Sequence, residues 1–180
     1  QDFGSLPENM QDAAKDAFET LLHSRDGQLC DCIIDQACLK AIRKAGKASH
    51  TQVIRTYAET TVALADIKIA VRSCKTGKSK EFMMRSMVEC DSLNVENLSK
   101  AVLAGESALY EYLEENGYRD AVEQLKLSYS AFEKWCDNHM IEAIKPQKTN
   151  PFSIGPLVGY VFGRENEIKT VRIILTCKQN

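Results

Sequence analysis

The stretch GYVFGRENEIKTVRIILTC, residues 159–177, is the part of the chain that decides the fold class. Its apolar residues, together with Leu157 just before it, recur at steps of three, four or seven, which places them on one face of an α-helix. They are Leu157, Val161, Ile168, Val171 and Leu175. A helix with such a face needs neighbouring helices to cover it, so the stretch predicts an all-α fold.

A group of charged residues accompanies this apolar face. Arg164 falls on the face itself, where an apolar side chain is expected, and Glu165, Lys169 and Arg172 follow on a neighbouring side at steps that bring opposite charges together. With Glu167 they form a predicted polar cluster that is partly buried. Two interpretations stay open: an internal ion pair that fixes helix register, or a docking surface for another protein.

The first part of the chain contains three helical patterns. Ser5, with Pro7 and Glu8 behind it, predicts a capped helix start. A second helix is expected from about Gln28 to a stop at Gly46. A third is expected from near Ser49 to Gly77, where a glycine favours the helix end.

Shorter helices are expected in the next part, beginning with one capped by Ser79 and interrupted later at Gly105 and Gly117. The longest uninterrupted pattern runs over residues 118–145. After it, Pro156 suits the first turn of the last helix.

Residues 171–176 are β-branched and also compatible with a strand. They continue the helical spacing and have no partner strand elsewhere in the sequence. We therefore predict helix there.

The two halves of the chain resemble each other in the order of their motifs. Tyr57 leads into Asp66-Ile-Lys in the first half, and Tyr160 leads into Glu167-Ile-Lys in the second, with an offset of about 101 to 104 residues. We therefore predict two repeated helical bundles, residues 1–90 and 91–180, that combine long and short helices.

Composition excludes several classes of protein. The chain has 180 residues, is 44% hydrophobic and 27% charged, and has a net charge of −2, which gives no basic footprint for nucleic acid. No apolar run approaches the roughly twenty residues of a membrane span. The chain begins without Met and ends within a helical pattern, so we expect it to be part of a longer polypeptide.

The seven cysteines favour a reducing, cytoplasmic setting, because an odd number would leave one unpaired in a secreted protein. Cys38, Cys136 and Cys177 lie beside apolar residues and are expected to act as small hydrophobes. Cys30-Asp-Cys32, Cys136-Asp-Asn-His139 and His50 contain zinc-binding donors, but no Cys-x-x-Cys pair exists and the donors lie on different helical faces. We predict no metal site and no cofactor.

No catalytic motif is present. The sequence has no nucleophile elbow, no phosphate-cradling glycine loop and no His-Glu-x-x-His helix. A Cys–His pair that meets in space stays open as an alternative. We assign no catalytic residue.

The C-terminal stretch FSIGPLVGYVFGRENEIKTVRIILTCKQN, residues 152–180, resembles the C-terminal signature of the C subunit of the prokaryotic A-/V-type ATP synthases. Its eukaryotic counterpart is the d subunit of the vacuolar ATPase. The shared pattern is a Pro-Leu-x-Gly-Tyr start, a Glu-x-Glu-Ile-Lys run and Arg-Ile-Ile-Leu. The starting Leu-Pro-Glu, the Ile-Ile-Asp ending at residue 35 and the helix over residues 66–72 also fit the family.

This resemblance implies a mechanical function. The family has three repeated helical bundles in a funnel, and this chain matches the second and third. The resemblance implies a non-catalytic central-stalk subunit that joins the central axle to the membrane rotor ring, so that ATP hydrolysis is coupled to H+ or Na+ transport. It also implies a cytoplasmic location, peripheral to the membrane through the complex. The alternatives are a helical scaffold or adaptor unrelated to rotary ATPases, or a small thiol-dependent enzyme.

Overall fold

The computed structural model describes residues 3–146 and 154–179, and all regular secondary structure in these ranges is helical. The predicted all-α class is confirmed. The helices are α1 (Glu8–Ser24), α2 (Gly27–Ala48), α3 (Gln52–Thr76), α4 (Lys80–Ser86), α5 (Val95–Ala104), α6 (Glu106–Glu115), α7 (Arg119–Leu127), α8 (Tyr129–Ile144) and α9 (Gly155–Gln179).

Several predicted helix ends are confirmed by their local geometry. Gly77 follows α3 with a φ of 64°, and Gly105 separates α5 from α6 with a φ of 114°. Residues other than glycine rarely adopt these positive φ values. The Ser79 hydroxyl accepts a hydrogen bond of 3.2 Å from the Phe82 amide and so caps α4. The region of the strand alternative, residues 171–176, is helical.

The predicted stop at Gly46 is wrong. Gly46 lies inside α2 and is buried, and a Cβ atom added to it would lie 2.3 Å from the Cβ of Ala58 on α3. The glycine therefore permits close packing of α2 on α3, and α2 continues to Ala48. Helical patterning alone does not distinguish a glycine that ends a helix from one that lets two helices approach.

The predicted uninterrupted helix over residues 118–145 is also wrong. The chain breaks at Ser128, which is extended (φ −171°, ψ 160°), and its hydroxyl accepts a hydrogen bond of 3.0 Å from the Ala131 amide at the start of α8. The predicted cap at Ser5 is absent as well, since α1 begins after Pro7 without a side-chain cap.

Helix α3 is the centre of the packing and contacts α2, α4, α5, α6, α8 and α9. Its side chains join a large apolar cluster that extends from Val53 to Ile144 and includes the fully buried Ile67, Leu113 and Phe132. A small second cluster lies between α1 and α2. The division into repeated bundles at residue 90 stays a prediction, since two bundles can share one interface.

Candidate docking surface on helix α9

Helix α9 packs against the other helices through a few side chains near its N-terminal end. Val158 and Phe162 pack against the large apolar cluster. The Phe162 ring meets the Tyr57 ring of α3 edge-on, with 6.4 Å between the ring centroids and 75° between the planes. Pro156 lies in the first turn, as predicted. These contacts attach one side of the helix to α3.

The predicted apolar face of α9 is uncovered. Its five residues have between 50% and 60% of their surface exposed. Leaving so many apolar side chains in water is unusual for a folded chain and is typical of an interaction site. The expectation that other helices of this chain cover the face is wrong for the described residues. The five are Leu157, Val161, Ile168, Val171 and Leu175.

The predicted burial of Arg164 is wrong as well. Its side chain is 58% exposed and forms an ion pair with Glu167, one turn away on the same helix. Because no helix within the described ranges covers this side of α9, the arginine on the apolar face meets water instead of a core. The polar cluster of Arg164, Glu165, Glu167, Lys169 and Arg172 is exposed throughout.

Lys169 has a different partner from the one the spacing suggests. Its ammonium nitrogen lies 2.7 Å and 2.6 Å from the two carboxylate oxygens of Asp137 on α8. Glu165 and Arg172, its expected neighbours, form no ion pair with any residue that the structure describes. Asp137 was missed because its position relative to Lys169 depends on how α8 and α9 pack.

A shallow apolar groove of about 320 Å³ lies along the contact between α9 and α3. Ile54 and Tyr57 line it on one side, and Val161 and Glu165 on the other. Burial raises the pKa of the Tyr57 hydroxyl, and the negative charge of Glu165 adds to the rise, while a hydrogen bond with Thr61 opposes it. The phenol therefore stays neutral and provides an amphipathic contact beside the exposed face.

A buried carboxylate that sequence reasoning missed lies at the centre of α3. Asp66 is fully buried, and one of its oxygens accepts a hydrogen bond of 3.1 Å from the Val88 amide. The other oxygen has no hydrogen-bond partner in the part of the chain that the structure describes. Burial raises the pKa of this carboxyl to about 8. Asp66 lies one turn from both Val62 and Ala70 on the apolar face of α3, and that position in the sequence was the available signal.

A second carboxylate of α3 holds the connection between α4 and α5. One oxygen of Glu59 accepts hydrogen bonds of 2.8 Å and 2.9 Å from the amides of Asp91 and Ser92, and another of 3.0 Å from the Ser92 hydroxyl. Together with the hydrogen bond from the Val88 amide to Asp66, these bonds hold residues 87–94 against α3. Both acidic groups have their closest contacts within the chain, so they organise structure.

The thiols provide no sign of nucleophilic chemistry where they are buried. Burial raises the pKa of Cys90 and of Cys136 to about 11, which keeps them protonated at neutral pH. His139, near Cys136 in sequence, stacks on Trp135 with 4.6 Å between ring centroids. The expectation of small buried thiols is confirmed for Cys136 and is wrong for Cys38 and Cys177, which are exposed.

Two further findings concern the described ranges as a whole. No three side chains of the types that bind metals come together within residues 3–146 and 154–179. No helix in the same ranges combines the length and the apolar character needed to cross a bilayer.

Comparison with known proteins identifies the family. The family model for the ATP synthase (C/AC39) subunit matches residues 1–180. The C subunit of the A-type ATP synthase from Methanobrevibacter smithii is 27% identical over 152 residues, covering 72% of this chain and 36% of that protein. The same protein from Methanocaldococcus jannaschii is 23% identical over 158 residues, covering 81% of this chain and 39% of that protein.

The chain thus spans less than two-fifths of the length of these relatives. No solved structure matches it. The family model extends over every element described above, from α1 to the exposed helix α9. On this match, the chain belongs to the ATP synthase (C/AC39) subunit family.

Proposed function

We propose that the chain is part of a non-catalytic central-stalk subunit of a rotary A-/V-type ATPase or ATP synthase. In this role it joins the central axle to the membrane rotor ring, so that ATP turnover is coupled to H+ or Na+ transport. Its location is cytoplasmic and peripheral to the membrane through the complex. Family membership supports this role, as do the names of the two archaeal relatives.

The uncovered face of α9 is the observation that carries the proposal. We define the α9 docking surface as its five exposed apolar residues together with the polar cluster. Apolar side chains supply affinity when they are covered, and surrounding charges select the partner and its orientation. A surface of this kind suits an adaptor, whose function is to hold other subunits.

The repeat within the chain gives independent support. Ile67, in the Asp66-Ile-Lys motif of α3, is fully buried, whereas Ile168, 101 residues later in the Glu167-Ile-Lys motif of α9, is 50% exposed. Ile67 is covered by other helices of this chain. If the two motifs are equivalent, another segment or subunit must cover Ile168 in the same way. We accordingly propose that residues 1–90 and 91–180 are two of three repeated bundles.

Co-purification tests the proposal. A tagged full-length protein is expected to bring down the membrane rotor ring and the axle subunits from cells that produce it. The double change Ile168→Asp and Val171→Asp is expected to abolish at least one of these interactions, because it places charges on the exposed apolar face that a partner would cover. Leu127→Asp is the control, since Leu127 is an apolar residue that is 74% exposed on a different helix, α7.

Circular dichroism of each variant checks that the helices are retained. A full-length protein that binds neither ring nor axle subunits contradicts the proposed function. Equal loss of binding in the α9 variant and in Leu127→Asp contradicts the assignment of the surface to α9. A variant lacking all cysteines is expected to keep its binding, in contrast to a thiol-dependent enzyme, which would lose its activity.

A further inference from the structure

A groove of about 590 Å³ lies between α2 and the segment that contains α4 and the start of α5, on a different part of the molecule from α9. Four cationic side chains line it from α2. They stand at steps of three or four, so they share one face of that helix. We call it the basic groove; its cations are Lys40, Arg43, Lys44 and Lys47.

The side of the basic groove opposite α2 is mostly apolar. Met84, Met87, Val88 and Val95 line this side, and Glu89 is the acidic residue among them. Apolar walls exclude water and strengthen the attraction between a bound anion and nearby cations. A solvated basic helix face that served only solubility would have no apolar wall opposite it.

Few carboxylates offset the cations. Arg43 and Lys47 share one carboxylate oxygen of Asp91, at 3.2 Å and 3.5 Å. Among the residues that the structure describes, the hydrogen bond of Lys40 is to the neutral amide oxygen of Gln36, at 2.9 Å. Lys44 forms no ion pair with any residue in the described ranges. Positive charge is therefore in excess in the groove, even with Glu89 and Asp91 counted.

The Arg43 guanidinium is held in place at the wall. Its side chain is only 19% exposed, and its Nε atom is buried with no hydrogen-bond partner among residues 3–146 and 154–179. Gln36 anchors the same face of α2 to the other wall, since its amide donates hydrogen bonds of 3.1 Å and 2.8 Å to the carbonyl oxygens of Met84 and Met87. The groove is thus preformed, which reduces the entropic cost of binding.

The spacing of the cations selects a compact anion. Lys40 and Lys47 are seven residues apart, which is roughly 10 Å along a helix axis. Several positive charges within two helical turns match phosphate groups clustered on one small molecule, because charge-assisted hydrogen bonds to phosphate oxygens are short and strong. An extended acidic peptide would spread its carboxylates over a longer path.

From these observations we propose that the basic groove binds a compact ligand carrying two or more phosphate groups. The ligand is either a free polyphosphate or the headgroup of a phosphorylated inositol lipid, which present the same chemistry. The inference is independent of the proposed stalk function, because none of the residues of the α9 docking surface lines the groove.

Two binding measurements test it at a fixed salt concentration. Inositol hexakisphosphate, titrated calorimetrically, probes the free ligand. Phosphatidylcholine vesicles with and without phosphatidylinositol bisphosphate, in a sedimentation assay, probe the lipid headgroup. Binding in either arm supports the proposal and identifies the source.

The matched variants are Lys44→Glu in the groove and Lys134→Glu on α8, which change the charge equally and alter exposed side chains. Lys44→Glu is expected to weaken binding about tenfold or more, as loss of a charged contact does. Lys134→Glu is expected to keep the wild-type affinity. Thermal unfolding of both variants verifies that the fold is unchanged.

Three results would overturn the proposal. One is absence of binding in both arms, and the second is equal weakening by Lys44→Glu and Lys134→Glu, which would indicate nonspecific attraction. The third is binding of poly-glutamate, but of neither phosphate probe, with the same sensitivity to Lys44→Glu, because that would indicate an acidic protein partner.

Discussion

The ammonium group of Lys169 lies 2.6 Å and 2.7 Å from the two carboxylate oxygens of Asp137, and this pair joins α9 to α8. It lies more than a turn beyond Phe162, the last side chain of α9 that packs on the large apolar cluster. From Lys169 onward every described side chain of α9 is exposed. The pair therefore marks where the attached part of the helix ends.

We predict that Lys169→Ala loosens α9 without unfolding the molecule. Both partners are partly exposed (48% and 38%), so the global free energy of unfolding is expected to fall by at most about 1 kcal/mol. Amides in the middle of α9 are expected to exchange hydrogen faster, with those of α3 unchanged. Lys134→Ala on α8 is the control, and equal exchange in both variants would argue against the role of the pair.

The close approach of α2 and α3 predicts that Gly46→Ala destabilises the fold. The added methyl group would lie 2.3 Å from the Cβ of Ala58, and overpacking of this kind costs about 1–3 kcal/mol. Gly163→Ala in α9 is the matched control, because no atom lies within 4 Å of its added Cβ; there alanine is expected to stabilise by up to about 1 kcal/mol.

Urea unfolding measures both effects. Combining Gly46→Ala with Ala58→Gly is expected to recover part of the loss, since the second change removes the clashing methyl group. Equal stability of Gly46→Ala and the wild type would show that α2 and α3 do not approach as closely as described.

Asp66 predicts a specific dependence of stability on pH. Its pKa is raised from 3.8 to about 8 by burial, so between these values the folded state holds a proton that the unfolded state has lost. The folded state binds more protons, and its stability therefore decreases as pH rises from about 4 to about 8 and levels off above that.

The variant Asp66→Asn is expected to remove this part of the pH dependence, because an amide does not ionise and still accepts the hydrogen bond from Val88. Urea unfolding at pH 5, 6, 7 and 8.5 measures it. Asp12→Asn, at a side chain that is 99% exposed, serves as the control and should keep the wild-type slope. An unchanged slope in Asp66→Asn would show that the carboxyl is already ionised in the folded state.

Because Arg164 is exposed, its removal is expected to have little effect on stability, whereas its sequence position predicted a large loss. A buried arginine would leave an unpaired carboxylate when removed, at a cost of several kcal/mol. Because its side chain is 58% exposed, Arg164→Ala is expected to change the free energy of unfolding by no more than about 0.5 kcal/mol. Thermal unfolding checks this, and a melting temperature lowered by many degrees would indicate a buried position.

Local signals predicted most helix ends correctly. Ser79, Gly77 and Gly105 act on the backbone within one turn, so their effect is readable from neighbouring residues. The break at Ser128 was missed although serine is a common cap, because the apolar spacing continues through it on both sides. The partner of Lys169 depends on how α8 and α9 pack, so spacing could not identify it. The position of Asp66 between Val62 and Ala70 on the apolar face of α3 was a local signal of its burial.

By itself, the sequence determined the all-α class, the approximate helix positions and the amphipathic character of α9, because propensity, capping and periodicity are local properties. Resemblance of its C-terminal stretch also indicated the family that the comparison then confirmed. Only the tertiary structure decided which amphipathic faces are covered. Ile67 and Ile168 occupy similar motifs, yet one is fully buried and the other is half exposed. Burial depends on what packs against a face, and periodicity describes only the face itself.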